Sequence, residues 1–104
     1  MINYIILQLP MSDPSKFMSL GWVEKKFGVP DKVDYIQVYA GKENDYWDTE
    51  NILNAIWEKL NINHPADYHA HSLSVSDVVG LNVDNRCWEF YYVDSIGFKR
   101  IWRE

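Results

Sequence analysis

Residues Ile2–Leu9, INYIILQL, are apolar at both odd and even positions. That is the pattern of a strand covered on both sides or lying in the middle of a sheet. Pro10 ends it. The next stretch, SDPSKFMSLGWVEKKFG, opens with a helix-start signal, Asp13 as cap and Pro14 at the first helical position. Phe17, Leu20, Val23 and Phe27 then recur at intervals of three and four, widened by Met18 and Trp22, which predicts one buried helical stripe. Gly28 and Pro30 close it. Val33–Gly41 reads as a second strand, with Ile36, Val38 and Ala40 on one face and Tyr35, Gln37 and Tyr39 on the other.

After the acidic loop KENDYWD, residues DTENILNAIWEKLN predict a second helix capped by Asp48 or Thr49, with Ile52, Ile56 and Leu60 sharing a face with Leu53 and Trp57. Asn61 and Pro65 stop it. Val78–Val83 and Cys87–Asp94 are strand-like around the short turn DNR, and Phe98–Trp102 forms a last strand or an apolar tail. The order β-α-β-α-β-β-(β) predicts one α+β domain over residues 1–104: a small mixed sheet, two helices packed on one of its faces, and a C-terminal β-hairpin. Direct pairing of the first two strands would be parallel and right-handed, because a helix lies between them.

Composition narrows the class. A chain of 104 residues with 47% apolar and 15% aromatic content supports a bulky core without staples. No apolar stretch approaches the length of a membrane span, and the N-terminal run lacks the basic flank and cleavage site of a signal peptide. A single cysteine, Cys87, forms no internal disulfide, which favours a reducing cytoplasm. The net charge is −5, with ten Lys and Arg, which disfavours DNA or RNA as a partner. Arg86, Lys99, Arg100 and Arg103 read as a solvated edge.

The candidate chemistry sits in HPADYHAHSLSVSDVVGL, His64–Leu81, which holds all three histidines. His64, His69 and His71 with Asp67 supply metal donors, but H-x4-H-x-H is an irregular spacing for zinc. Ser72, Ser74 and Ser76 beside His71 and Asp77 supply the residue types of a triad without a Gly-x-Ser-x-Gly elbow. The third reading is structural: Ser and Asp side chains bond nearby backbone and fix a turn, with Leu73 and Val75 alternating inward. The structural reading is preferred. It expects no catalytic residue, no metal and no cofactor.

These residues carry a resemblance. NINHPADYHAHSLSVSDVVGLN followed by YYVDSIGF closely resembles the YodL-like domain family, and YIQVYAG and ILNAIWEKLN look like that family's earlier segments, from about Tyr35 to Ile101. The match runs through His64, Pro65 and His71–Asp77, and through Tyr92, Val93, Asp94, Ser95, Gly97 and Phe98. Ala70 departs from it, standing where the family pattern has Gly, so a positive φ there would be strained. The resemblance implies a small bacterial domain found on plasmids, conjugative elements and phages, with no established activity, cofactor or catalytic residues to carry over.

The reading that follows is a cytoplasmic, non-enzymatic domain that binds an unidentified protein, through His71, Ser72, Ser74, Ser76, Asp77, Tyr92, Asp94 and the loop residue Trp47. The alternatives are a metal-dependent or hydrolytic enzyme centred on His64, His69, His71 and Asp77, and an acidic inhibitor of a host defence or nucleic-acid-binding protein.

Overall fold

A computed structural model describes residues 1–44, 48–83 and 87–103. Trp47 and the DNR turn, 84–86, lie outside the described residues. The elements are β1 (Ile2–Gln8), α1 (Leu20–Phe27), a 3₁₀ turn (Lys32–Asp34), β2 (Ile36–Glu43), α2 (Thr49–Asn61), β3 (Val78–Val83), β4 (Cys87–Val93) and β5 (Phe98–Arg103). The strands form one sheet in the order β2-β1-β3-β4-β5. The α+β class and the C-terminal hairpin of β4 and β5 agree with the sequence pattern. No described helix is long and apolar enough to cross a membrane.

Three expectations are corrected. First, the sheet is antiparallel at every pairing rather than mixed: Ile2 opposes Glu43 and Gln8 opposes Ile36, so β1 and β2 run in opposite directions. The excursion through α1 therefore returns beside β1 at the end where β1 stops and makes no parallel crossover. Second, the helices do not share a face. Ile52, Leu53, Ile56 and Leu60 of α2 pack with Ile2, Tyr4, Ile6, Val79 and Leu81. Leu20 of α1 packs on the other side with Leu7, Val78, Phe90 and Tyr92. A strand apolar on both alternating faces demands cover on both, and β1 receives it.

Third, the first helix begins at Leu20, not near Asp13. Its cap is Ser19, whose hydroxyl accepts from Trp22 N. Upstream, Asp13 closes a turn, accepting from Ser15 N at 2.8 Å. Phe17 has a φ of 67°, which no helical residue adopts, so the stripe cannot extend back through it. Leu20 and Val23 are buried as expected, whereas Phe17 and Phe27 are exposed.

The second strand also starts late, at Ile36, because Lys32–Asp34 is a 3₁₀ turn capped by Asp31. Its predicted faces are broken by a bulge: Tyr39 opposes Ile6 while Gln37 opposes Leu7, leaving Val38 as an extra residue. Tyr35 and Tyr39 thus reach opposite faces, Tyr35 toward Phe90 and Tyr39 toward Tyr4. At the far end of β2 the buried Glu43 carboxylate meets Lys59 Nζ of α2 at 2.6 Å, which ties the helix to the sheet edge.

Candidate functional site

The serine-rich corner lies where the chain leaves α2 and enters β3. Asn61, the last residue of α2, opens it: its side chain donates to Leu73 O at 3.0 Å and accepts from Leu73 N at 2.6 Å. Leu73 is thereby held in the α2-side core. Asp77 N then donates to Ser74 O, and Ser74 N donates back to Asp77 Oδ2 at 2.8 Å. This is the reciprocal turn expected of Ser and Asp side chains. Ser76 N donates to Val93 O and Val93 N to Asp77 O, so the corner extends the β3–β4 ladder beyond its regular end.

Ser76 and Asp77 are both 0% exposed. Ser76 has a φ of 85°, a strained conformation for a side-chain-bearing residue. Ala70, where strain was the concern, is not among the described positive-φ residues and packs on the core. What stabilises Ser76 is its bonding: Oγ accepts from Phe17 N at 2.8 Å, and its carbonyl accepts from the Tyr35 hydroxyl at 2.7 Å. The two left-handed non-glycine residues among those described, Phe17 and Ser76, are therefore joined to each other. Replacing Ser76 by Ala leaves the Phe17 amide without its acceptor and keeps the strain, costing about 1–2 kcal/mol. Ser76→Gly loses the same bond but relieves about 1 kcal/mol of strain. Urea unfolding is expected to rank wild type above Gly and Gly above Ala.

Two residues that sequence reasoning did not place in the corner are central to it. Gln8 stands on the same face of β1 as Ile2, Tyr4 and Ile6, an amide at a core-facing position. Its Nε2 donates to Asp77 Oδ2 at 3.2 Å and to His71 O at 3.1 Å. The Tyr68 hydroxyl donates to the same carbonyl at 2.5 Å. Lys16 is buried despite its charge. Its ammonium donates to Leu9 O at 2.7 Å and lies 2.7 Å from His71 Nε2. On the other side of the ring, His71 Nδ1 lies 2.7 Å from Ser72 O. A carbonyl only accepts, so Nδ1 carries the proton and Nε2 accepts from Lys16. His71 and Asp77 approach to 4.0 Å, too far for a hydrogen bond.

The electrostatics follow from burial. Desolvation raises the Asp77 carboxyl to about 6, opposed by its bond from Ser74 and by His71, Lys16 and Gln8. Its Oδ1 is buried without a hydrogen-bond partner, which adds to the cost of ionising it. Desolvation also pulls Lys16 below its ordinary value, against the pull of Asp77 and Asp13. Burial pushes the Tyr68 hydroxyl up to about 12, so it remains a donor at neutral pH.

The other predicted site residues separate into braces and surface. The Tyr92 hydroxyl donates to Met18 O at 2.6 Å, and Asp94 Oδ1 accepts from Leu20 N at 3.2 Å and Ser95 N at 2.8 Å. Together they tie β4 to the 10–19 segment and to the start of α1. Ser74 Oγ donates to Ser72 O. Ser72 and part of the His71 ring face solvent. His64 packs edge-on against Tyr68, while His71 tilts against Phe17. These two imidazoles are committed to different neighbours, and the described residues hold no group of three or more His, Cys, Asp or Glu that could ligate a metal ion.

Comparison with protein families spans the motifs in this corner and in β4. No curated protein and no solved structure matches the chain. A model of the YodL-like domain covers residues 3–103, from the start of β1 to the end of β5. With nearly the whole fold inside that match, the chain belongs to the YodL-like domain family.

Proposed function

We propose that the chain is a non-enzymatic protein-interaction domain of bacterial mobile-element origin, working in the cytoplasm. One observation carries this reading. Ser76 and Asp77, the residues best placed by type for chemistry, are buried and bonded to backbone and to Gln8. A catalytic serine needs its hydroxyl beside a base and open to substrate. Here Ser76 Oγ holds Phe17 N, and both nitrogens of His71 are occupied.

What the brace supports is a displayed apolar surface. Asp94 N donates to Gly97 O at 3.0 Å, and Gly97 takes a φ of 70°, which fixes the β4–β5 tip. On that tip Ile96 is 86% exposed, and Trp57 on α2 is 42% exposed. Trp57, Ser95 and Phe98 line one cleft; Leu53, Ile96 and Phe98 line the next. Aromatic and apolar anchors of this kind carry most of the energy at interfaces.

Affinity capture from a bacterial host lysate tests the reading. Ile96→Glu adds a charge at a solvent-facing tip, and the unfolding midpoint is expected to stay within about 0.5 kcal/mol of wild type. A protein retained by wild type and lost by Ile96→Glu supports the proposal. Identical capture by both would remove the tip as the contact surface.

A further inference from the structure

A second surface carries a partner chemistry of its own. Between the 10–18 segment, the C-terminal end of α1 and the 28–35 loop lies a groove of about 400 Å³. Leu9 and Val23, both buried, contribute to its lining, as does the half-buried Tyr35. Phe27 and Val29 stand on its rim, 60% and 65% exposed. Three carboxylates, Asp13, Asp31 and Asp34, line it, and among the described residues no lysine, arginine or histidine does.

Of the cations adjacent in sequence to the lining, Lys16 and Lys32 have their charged ends held by other groups. Lys16 Nζ is held by Leu9 O and His71, and Lys32 Nζ lies 4.5 Å from the centre of the Phe90 ring. Lys25 and Lys26, on the last turn of α1, complement the helix dipole there. Two of the carboxylates are fixed in place: Asp13 Oδ1 accepts from Ser15 N and Asp31 Oδ1 from Val33 N. Burial raises the Tyr35 hydroxyl, and Tyr92 and the charges of Asp77, Asp13 and Asp34 raise it further.

We propose that this groove takes a short segment of a partner protein in which one lysine or arginine is flanked by apolar side chains. The apolar lining selects the flanks, and the three carboxylates select the cation. The volume lies at the low end of ligand clefts, about 300–1,000 Å³, which fits a few side chains and not a broad docking face. The inference rests on the interaction reading only in taking the ligand to be protein; the surface is distinct from the β4–β5 tip.

Titration of the ¹⁵N-labelled protein with three peptides tests it: acetyl-Gly-Leu-Arg-Leu-Gly-amide, the same peptide with citrulline for Arg, and the same with Glu. The Arg peptide is expected to move the amides of Ser15, Gly28, Val29 and Tyr35 saturably. Its affinity should fall several-fold between about 50 and about 300 mM salt, as charges at a solvent-facing rim are screened. The citrulline and Glu peptides should bind about tenfold more weakly or not at all, the worth of about one ion pair. Asp34→Lys should abolish the shifts; Val29→Glu, a second exposed position, should weaken them if the first variant folds poorly; Ile96→Glu should leave them intact. Equal binding of the Arg and citrulline peptides, or shifts confined to other residues, or no saturation would overturn the groove. Lysate capture that depends on Ile96 would survive that failure, and its own failure would leave the peptide result standing.

Discussion

Asp77→Ala is expected to lower stability by about 3 kcal/mol, the largest single effect predicted for the corner. The change removes the acceptor of two donors, Ser74 N and Gln8 Nε2. A buried donor left without a partner costs about 1–3 kcal/mol, and the loss is partly offset because a carboxylate no longer has to be buried. For a domain of this size, about 1 kcal/mol corresponds to about 4–8 °C, so the melting temperature should fall by about 12–24 °C. Asp77→Asn keeps the shape and one acceptor oxygen and should stay within about 1 kcal/mol of wild type near neutral pH. Urea unfolding of both variants measures this. Equal losses for Ala and Asn would show that the charge matters and the bonds to Ser74 and Gln8 do not.

The second large effect is a dependence on pH opposite in sign to ordinary acid denaturation. Asp77 holds its proton up to about pH 6 in the folded protein and loses it near 3.8 in the unfolded chain. Between those values the folded state binds more protons, so stability falls as pH rises. The contribution is fully present below pH 3.8 and is lost as pH climbs through about 6. Its full size is about 3 kcal/mol at 1.36 kcal/mol per unit. Subtracting the stability curve of Asp77→Asn from that of wild type reads Asp77 together with its coupling to His71 and Lys16. The difference should decline from pH 4 to about 7 and then level off. Lys16, pulled below its ordinary value by burial, contributes with the opposite slope.

Local pattern identified the elements better than it placed them. The two-faced apolar run INYIILQL, the Asp48 cap and the Ile52, Leu53, Ile56 and Leu60 stripe of ILNAIWEKLN all survive, because each is decided within a few residues. The first helix failed at one residue. Phe17 fits an apolar stripe by spacing, but its amide is taken by Ser76 Oγ from across the fold, and that long-range bond holds a conformation no helix admits. The opposite placement of the helices was within reach: a strand apolar on both faces already implied two-sided cover. The antiparallel return of β2 was not, since pairing sense depends on the path of the 9–35 connection and not on any residue's polarity.

The candidate site was legible by residue type and illegible by orientation. Ser76 and Asp77 were expected to share a corner, and they do, but with their side chains inward. The amide at Gln8 offered a signal, standing in register with Ile2, Tyr4 and Ile6 on a core face. Lys16 offered none: its burial depends on a carbonyl at Leu9 and a ring at His71, 55 residues away.

The central claim is that these polar groups hold backbone in place. Native-state hydrogen exchange reads that directly, through the amides of Phe17, Ser74, Ser76 and Val93, whose acceptors are Ser76 Oγ, Asp77 Oδ2, Val93 O and Asp77 O. If the corner is a brace, all four exchange only through global unfolding, with the same free energy as amides in the centre of β1 and β3. Exchange of Phe17 and Ser74 by local opening, several kcal/mol below that level, would show a mobile loop and contradict the account.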